Sequence, residues 1–276
     1  MTATPAASAA RFRGRLELVF APGLRGTVLA RAHAAAPLKI VRPFPLAGSG
    51  VLVQVLTLGP GMCAGDAHEI DITVEPGARA VVIMQSASRL LSMPEGSHAS
   101  QEVTLTVRSG GQLEYYPGLT IPFAESSFVQ RLAARVETGA RLGILESWST
   151  GRSSRGEYLR FRRISTRTTV TIDRELAYAD AVELEPGAHN VQGTGVLESH
   201  RYVASGFWYG ATLASGSPLG APDGTLVALG QSAPGQVYLR ALAMDGYALG
   251  ETLQSAVHCI RSGWQQSAIP FRRFTS

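Results

Sequence analysis

The clearest structural signal in the sequence is the segment Glu69-Ile70-Asp71-Ile72-Thr73-Val74-Glu75-Pro76-Gly77-Ala78. Its first six residues alternate between polar and β-branched apolar side chains, which is typical of a strand with one exposed and one buried face. Pro followed by Gly fits the central positions of a type II turn, because the second of them needs a positive φ. The stretch therefore predicts a half-buried strand that ends in a hairpin-type reversal.

Similar turns recur along the chain, at Arg108-Ser109-Gly110-Gly111, Glu137-Thr138-Gly139-Ala140 and Glu185-Pro186-Gly187-Ala188. Further short segments are bounded by Gly or Pro and rich in strand-forming residues, namely 15–20, 27–34, 51–58 and 78–84. Because the turn glycines are irregularly spaced, we interpret them as stacked β-layers of similar hairpins rather than as a strict solenoid. The predicted fold is all-β, an elongated, layered, β-solenoid-like scaffold of many short strands.

Helical periodicity is found mainly near the C-terminus. Between residues 250 and 266, Leu253, Val257, Ile260 and Trp264 share one helical face. We expect one or two helices in this region, packed against a sheet. No convincing domain boundary interrupts the chain, so residues 11–276 are predicted to form a single domain after a flexible tail of residues 1–10.

Composition narrows the class of protein. Charged residues make up 17% of the 276 residues, below the usual value of about 25%, and there are 30 glycines. This composition disfavours disorder and coiled coils. It predicts a rather apolar surface, which is typical of a protein that binds a partner. Cys63 and Cys259 lie far apart and form no disulfide or zinc pattern. We expect a cytoplasmic protein without a signal peptide or membrane anchor.

Motifs of enzymes are absent from the sequence. It contains no GxSxG, HExxH or P-loop motif, and its six histidines are dispersed.

Seven arginines lie in the segment from Arg152 to Arg174. Lysines and interleaved aromatic residues, which are typical of nucleic-acid binding, are scarce there. On a strand over 158–164, Arg160 and Arg162 would share one face and suit an acidic protein partner.

A loop with three glycines, Gly59-Pro60-Gly61-Met62-Cys63-Ala64-Gly65-Asp66, begins an ordered series of motifs. The later members are Met84-Gln85-Ser86-Ala87-Ser88-Arg89, the stretch from Leu113 to Phe123, Glu146 to Arg152 with Gly156-Glu157, and more loosely Ile269 to Phe274. In this order the series resembles the UreD (UreH) family of urease accessory proteins. The chain departs from the family at Met62-Cys63-Ala64, where further glycines are usual, and at Arg89, where a lysine is customary.

The resemblance implies a non-enzymatic scaffold. Such a protein would bind apo-urease and recruit a helical, UreF-like accessory protein and a nickel-dependent, UreG-like GTPase. Nickel would then reach the urease active site, by a channel through the scaffold. The resemblance implies no tightly bound cofactor and no nucleic-acid or membrane partner. It does imply that nickel ions pass along the protein.

The family motifs and their neighbours supply the candidate residues for partner contact or the nickel route. They are Gly61, Cys63, Gly65, Asp66, His68, Gln85, Arg89, Glu114, Glu146, Arg152 and Glu157. Asp66, Glu146 and Glu157 are the candidates for transient nickel contact. For each acid a structural role is the alternative, because carboxylates beside glycine turns often accept backbone N–H groups or pair with arginine.

Two other functions are open from the sequence. One is an all-β hydrolase of carbohydrates that uses paired carboxylates, for instance Glu146 with Asp66. The other is a nucleic-acid binder that uses the arginine-rich segment.

Overall fold

A computed structural model describes residues 12–213 and 220–269. The predicted tail of residues 1–10 and most of the Ile269 to Phe274 motif lie outside the described residues. Within the described residues the elements are β1 (Arg13–Gly23), β2 (Gly26–Ala35), β3 (Leu38–Ile40), β4 (Phe44–Pro45), β5 (Val51–Thr57), β6 (Ala67–Val74), β7 (Arg79–Met84), β8 (Ser88–Leu90), β9 (Ala99–Val107), β10 (Gln112–Pro122), β11 (Ser127–Val136), β12 (Arg141–Ser149), a 3-10 turn (Ser153–Arg155), β13 (Arg163–Ile172), β14 (Glu175–Leu184), β15 (Tyr202–Tyr209), β16 (Thr225–Ala233), β17 (Gln236–Ala243) and α1 (Gly246–Gly263).

The strands form two sheets. Sheet A has seven strands in the order β14-β13-β11-β9-β6-β1-β2. Sheet B has ten, with the order β16-β17-β15-β12-β10-β7-β5-β3, while β4 pairs with β5 and β8 pairs with β10. The prediction of an all-β, solenoid-like scaffold with a helix near the C-terminus is confirmed.

The central strands are parallel within each sheet, because the chain alternates between the sheets. From β5 to β13 successive long strands belong to sheets B, A, B, A and so on, and each pairs in parallel with the strand one coil away. The interpretation of the turns as hairpins is therefore wrong. The turn at Pro76-Gly77 does reverse the chain, and Gly77 has φ 76°. However, β6 before the turn belongs to sheet A, whereas β7 after it belongs to sheet B.

The turns between the sheets stack on one another. The Glu137 carboxylate accepts hydrogen bonds from the Arg108 side chain at 2.8 Å and from the Ser109 backbone N–H at 2.9 Å. One coil further on, the Asp173 carboxylate accepts the backbone N–H of Thr138 at 3.0 Å. Polar turn residues thus hold adjacent coils in register at this edge of the molecule.

The burial pattern follows from the layers. Strands of sheet A alternate, so that Ile70, Ile72 and Val74 of β6 are buried while Glu69 and Asp71 are not, as the sequence predicted. Central strands of sheet B read as continuous buried runs, because one face meets sheet A and the other meets α1.

The C-terminal helix begins at Gly246 and ends at Gly263, four residues earlier at its start and three earlier at its end than predicted. The Asp245 side chain caps it by accepting the N–H of Ala248 at 2.8 Å. Val257, Ile260 and Trp264 are buried against sheet B, as their spacing indicated.

The prediction of a strand over 158–164 is wrong. Residues 158–162 are irregular, and β13 starts only at Arg163. Arg160 and Arg162 therefore do not share a strand face. The division into a tail and one domain stays a prediction.

Candidate functional site

A layer of polar side chains crosses the space between the two sheets. His68, Gln101 and Gln130 occupy inward positions that are paired laterally on β6, β9 and β11, and Thr168 lies inward on the next strand, β13. Glu146 faces them from β12 of sheet B. Because the neighbouring inward residues form apolar clusters, this layer divides the core between the sheets.

The members of the layer are joined by hydrogen bonds. His68 is the lateral neighbour of Gln101 on β9, and the Gln101 amide Nε2 donates to Oε1 of Gln130 at 3.1 Å. Gln130 in turn donates to Oε1 of Glu146, and the Thr168 hydroxyl donates to Oε2 of the same carboxylate at 2.7 Å. A chain of polar groups thus runs from β6 across three more strands of the sheet.

Burial shifts the pKa values of the two titratable side chains of the layer, Glu146 and His68. It raises the pKa of the Glu146 carboxyl, and the nearby negative charge of Asp180 raises it further, while bonds from Thr168 and Gln130 act in the other direction. Burial lowers the pKa of His68, which favours its neutral form. A neutral imidazole keeps one ring nitrogen as an acceptor or metal ligand.

Two polar atoms of this region have no hydrogen-bond partner among the described residues. They are Nε2 of His68, whose residue is 3% exposed, and the hydroxyl of Tyr115, whose residue is 2% exposed. Buried polar groups without a protein partner generally bond to water or a ligand. Both atoms therefore mark positions where a mobile polar species can be held.

A cavity of about 30 Å³ lies along the layer, lined by Gln101, Tyr115, Gln130, Glu146, Thr168 and Asp180 among others. A second space, of about 20 Å³, is lined by His68 together with Gly59, Gly61 and Arg89. Since a buried water needs roughly 10–15 Å³ on this scale, each has room for water. Met62 and Ser88 line both spaces, so the loop of residues 59–66 adjoins the polar layer.

Within this loop the glycines are dictated by the backbone. Gly61 has φ 148°, and a Cβ there would lie 2.5 Å from the carbonyl oxygen of Arg89. Gly65 has φ 80°, and its N–H donates to the His98 carbonyl at 2.9 Å. Both glycines therefore shape the loop, which any role in contact or transit would require.

Asp66 fastens the same loop. Its residue is 4% exposed, and its two carboxylate oxygens accept the backbone N–H groups of Phe12 at 3.0 Å and Cys63 at 2.8 Å. The Cys63 thiol is half-buried, and burial together with Asp66 raises its pKa. The geometry gives Asp66 a structural task, the alternative that the sequence left open.

Gln85 directly follows β7, and Arg89 is the middle residue of β8; both lie at the surface. Both are exposed, and the Gln85 N–H donates to the Val55 carbonyl at 2.8 Å. The Arg89 carbonyl accepts the N–H of Met62 at 2.8 Å, which ties β8 to the glycine-containing loop. Their side chains are free to meet a partner on this surface.

Arg152 and Glu157 form a bidentate ion pair on the segment before β13. Nε of Arg152 donates to Oε2 of Glu157 at 2.8 Å, and a terminal nitrogen of Arg152 donates to Oε1. The Arg152 guanidinium also lies 4.0 Å from the ring centroid of Phe123. The hydrogen bond from Arg152 holds the pKa of Glu157 below its usual range. Glu157 is therefore paired with Arg152, and it does not line the cavity of the polar layer.

Glu114 lies on the opposite face of sheet B, beneath α1. It is fully buried and accepts hydrogen bonds from Arg261, from the Tyr116 hydroxyl at 3.0 Å and from Gln112 at 3.1 Å. Burial raises the pKa of its carboxyl, and the guanidinium acts against that rise. The structure therefore separates Glu114 from Glu146 and makes it an anchor for the helix.

Four residues around Glu146 were missed at the sequence level, namely Gln101, Tyr115, Gln130 and Thr168. A signal was present, because Gln101 and Gln130 fall two residues before Val103 and Leu132, in the inward register of their strands. A glutamine at such a position indicates a polar interruption of the core. Which strands are adjacent could be known only from the fold.

Neither the hydrolase nor the nucleic-acid interpretation gains support from this geometry. Asp66 uses both oxygens on backbone amides, so it does not face Glu146 as a free partner across an open cleft. Arg152, Arg162 and Arg163 are each paired with a carboxylate. In the described ranges, no group of three or more His, Cys, Asp or Glu side chains could hold a metal ion.

Taken together, these features describe a two-sheet β-solenoid protein with a polar layer between the sheets and a helix docked on the outside of one sheet. The model of the family described as UreD urease accessory protein matches residues 12–275. The chain is 38% identical over 249 residues to the urease accessory protein UreD of Deinococcus radiodurans, covering 89% of each protein. It is 41% identical over 194 residues to urease accessory protein UreD 1 of a Synechococcus species, covering 70% of this chain and 72% of the relative.

The chain therefore belongs to the UreD family of urease accessory proteins, and it has a role in urease maturation. The family points to a non-catalytic task. No helix within the described ranges is long and apolar enough to cross a membrane. The cytoplasmic location expected from the sequence stays a prediction.

Proposed function

We propose that this chain is a non-enzymatic scaffold of urease maturation whose inter-sheet polar layer passes nickel towards apo-urease. The partners that fit this role are apo-urease, a UreF-like helical protein and a UreG-like GTPase. Family membership supports the maturation role, and the polar layer is the observation that carries the nickel route.

The chemistry of the layer suits transit rather than storage. A divalent nickel ion accepts imidazole and oxygen ligands, and the layer offers Nε2 of His68, amide oxygens, hydroxyls and the Glu146 carboxylate. These donors are spread along a line across the sheet instead of converging on one point. Each contact is then weak enough to release the ion to the next.

Glu146 is the central element of the proposal. It brings a carboxylate into the apolar interior, and its two hydrogen-bond donors, Gln130 and Thr168, are both neutral. Glu146 is half-buried and has no cationic partner among the described residues, so its carboxylate attracts a cation more strongly than one in open water, because the local dielectric is lower. In this proposal Glu146, with His68, replaces the trio of Asp66, Glu146 and Glu157 as the principal nickel contact.

The test is Glu146→Gln, which keeps the size of the side chain and removes its charge. We expect complexes with apo-urease and the accessory proteins to assemble at normal yield, while urease purified from them contains less nickel. Glu102→Gln is the matched control, because Glu102 lies on the outer face of sheet A and is exposed. Assembly yield, nickel per urease active site and urease activity are measured on the same preparations.

The outcomes separate the two halves of the proposal. Normal nickel loading with Glu146→Gln would refute the route through the layer and leave the scaffold role standing. Failure of the unaltered chain to co-purify with apo-urease and the accessory proteins would refute the scaffold role itself.

A further inference from the structure

The polar layer between the sheets extends beyond Thr168 to the edge of sheet A. Asp180 lies on β14, the edge strand, and it is the lateral neighbour of Thr168. It belongs to the inward register of β14, because it is less exposed than Ala179 and Ala181 on either side of it. Asp180 is therefore the side chain with which the layer ends on sheet A.

Sheet B continues the same layer on the opposite side. Ser205 pairs laterally with Glu146 on one side and with Arg240 of β17 on the other. Arg240 points to the face that meets sheet A, because its neighbours Leu239 and Ala241 pack in the cluster beneath α1. A row of polar side chains thus leads from Glu146 to Arg240, opposite the row on sheet A.

The two rows meet in an ion pair. A terminal nitrogen of Arg240 donates to Oδ1 of Asp180 at 2.7 Å, and the two side chains are 42% and 16% exposed. The carboxylate is the inner partner, and it lines the cavity of the layer together with Glu146 and Ser205. The ion pair thus lies where the polar layer reaches the surface, at the end opposite to His68.

The charges of Asp180 and Glu146 interact across this cavity. The negative charge of Asp180 adds to the effect of burial in raising the pKa of the Glu146 carboxyl. Two carboxylates that face one partly buried space repel each other, because water screens them only weakly there. Arg240 places a positive charge beside one of them. A divalent cation in the cavity would place its charge beside both.

We propose that Arg240 holds the position of a divalent cation at this end of the layer, and that Asp180 takes up nickel when the arginine turns outward to solvent. This inference rests on the proposed nickel route, to which it adds a second carboxylate contact and a solvent end. The arginine can leave at low cost, because partly exposed ion pairs contribute little to stability.

The test is the affinity of the full chain for Ni²⁺ alone, measured by isothermal titration calorimetry without urease or accessory proteins. Arg240→Gln removes the competing charge and keeps a polar side chain, so the affinity should rise at least about tenfold. The matched control is Arg163→Gln, which removes the arginine partner of Glu183 on the same strand but on the outer face of sheet A. It should leave the affinity unchanged.

Two variants of Asp180 identify the contact. The double variant Asp180→Asn/Arg240→Gln should lose the gain in affinity, because a neutral amide replaces the carboxylate. Asp180→Asn alone is examined in complexes with apo-urease and the accessory proteins. It should lower the nickel content per urease active site while the yield of assembled complex stays normal. Thermal melts of each variant show whether the fold is retained.

Unchanged affinity in Arg240→Gln, an equal rise in Arg163→Gln, or a rise that persists in the double variant would each overturn the inference. So would normal nickel loading with Asp180→Asn, which is the deciding measurement where Arg240→Gln is too unstable for titration. These results would leave the route through Glu146 standing. Normal loading with Glu146→Gln, in contrast, would refute the route and this inference with it.

Discussion

The ion pair between Glu114 and Arg261 gives the sharpest test of the architecture, because it joins the helix to the solenoid. Its two side chains are 0% and 5% exposed. Substituting Arg261→Met keeps the volume of the side chain but leaves a fully buried carboxylate. Two neutral donors, Tyr116 and Gln112, remain on that carboxylate. We therefore expect a large loss of stability rather than a local adjustment.

The magnitude follows from removing one partner of a buried pair, which costs about 3–5 kcal/mol in the free energy of unfolding. For a chain of this size, that corresponds to a fall in Tm of roughly 6–20 °C. The matched control is Arg163→Met, because the Arg163–Glu183 pair is 47% and 42% exposed. Such exposed pairs contribute about 0–1 kcal/mol.

The loss in Arg261→Met should depend on pH with a definite sign. Burial raises the pKa of the Glu114 carboxyl above that of the unfolded chain, about 4.3, and the variant lacks the guanidinium that opposes this rise. Folding then favours the protonated form, so the defect is small at about pH 4 and grows as the pH rises through the folded-state pKa. Urea unfolding followed by tryptophan fluorescence suits the measurement, because Trp208 and Trp264 lie in the cluster beneath the helix.

A double variant completes the test. Glu114→Leu with Arg261→Met removes both charges, and it should recover most of the stability that either single change loses. If Arg261→Met costs less than about 1 kcal/mol and shows no pH dependence, the pair is solvated and the reasoning fails. Glu114 would then be available for another task, such as contact with nickel.

Three further expectations concern the loop and the arginine-rich segment. Gly61→Ala should cost more stability than Gly59→Ala in thermal melts, because both glycines have positive φ but only Gly61 has backbone atoms within 4 Å of the added Cβ; equal losses would contradict this. Asp66→Ala should cost about 1–3 kcal/mol in urea unfolding, since two backbone N–H groups lose their acceptor, and an unchanged midpoint would show that the carboxylate is not structural. Arg162→Glu should destabilise the fold, whereas Arg167→Glu on an exposed strand position should not; equal melting temperatures for both would restore the idea of a free basic face.

The expectation for Arg162 reverses the prediction made from the sequence. There, a strand over 158–164 would have presented Arg160 and Arg162 to an acidic partner. In the fold Arg162 donates to the Pro94 carbonyl at 2.9 Å and to Glu125 at 2.9 Å, so it fixes two loops to each other. Charge reversal at this position therefore tests the fold and not a partner surface.

Several of the strands, the turn residues and the family could be predicted from the sequence, whereas the strand predicted over 158–164 was wrong. Alternation in β6 indicated which side chains are buried, because the period of side chains along a strand is a local property. The Pro76-Gly77 turn was likewise local, since it depends on the φ that each residue can adopt. The helix was visible for the same reason, through the spacing of Val257, Ile260 and Trp264.

Which strands are neighbours could be seen only in the folded structure. A turn reverses the chain in the same way whether the next strand pairs with the last or crosses to a facing sheet, so the sequence suggested hairpins where the fold has parallel coils. That pairing brings Gln101 beside Gln130 and sets both against Glu146, although these residues are far apart in the chain. It also sends Glu114 and Glu146 to opposite faces of one sheet. Their different tasks follow from long-range packing, which no local pattern encodes.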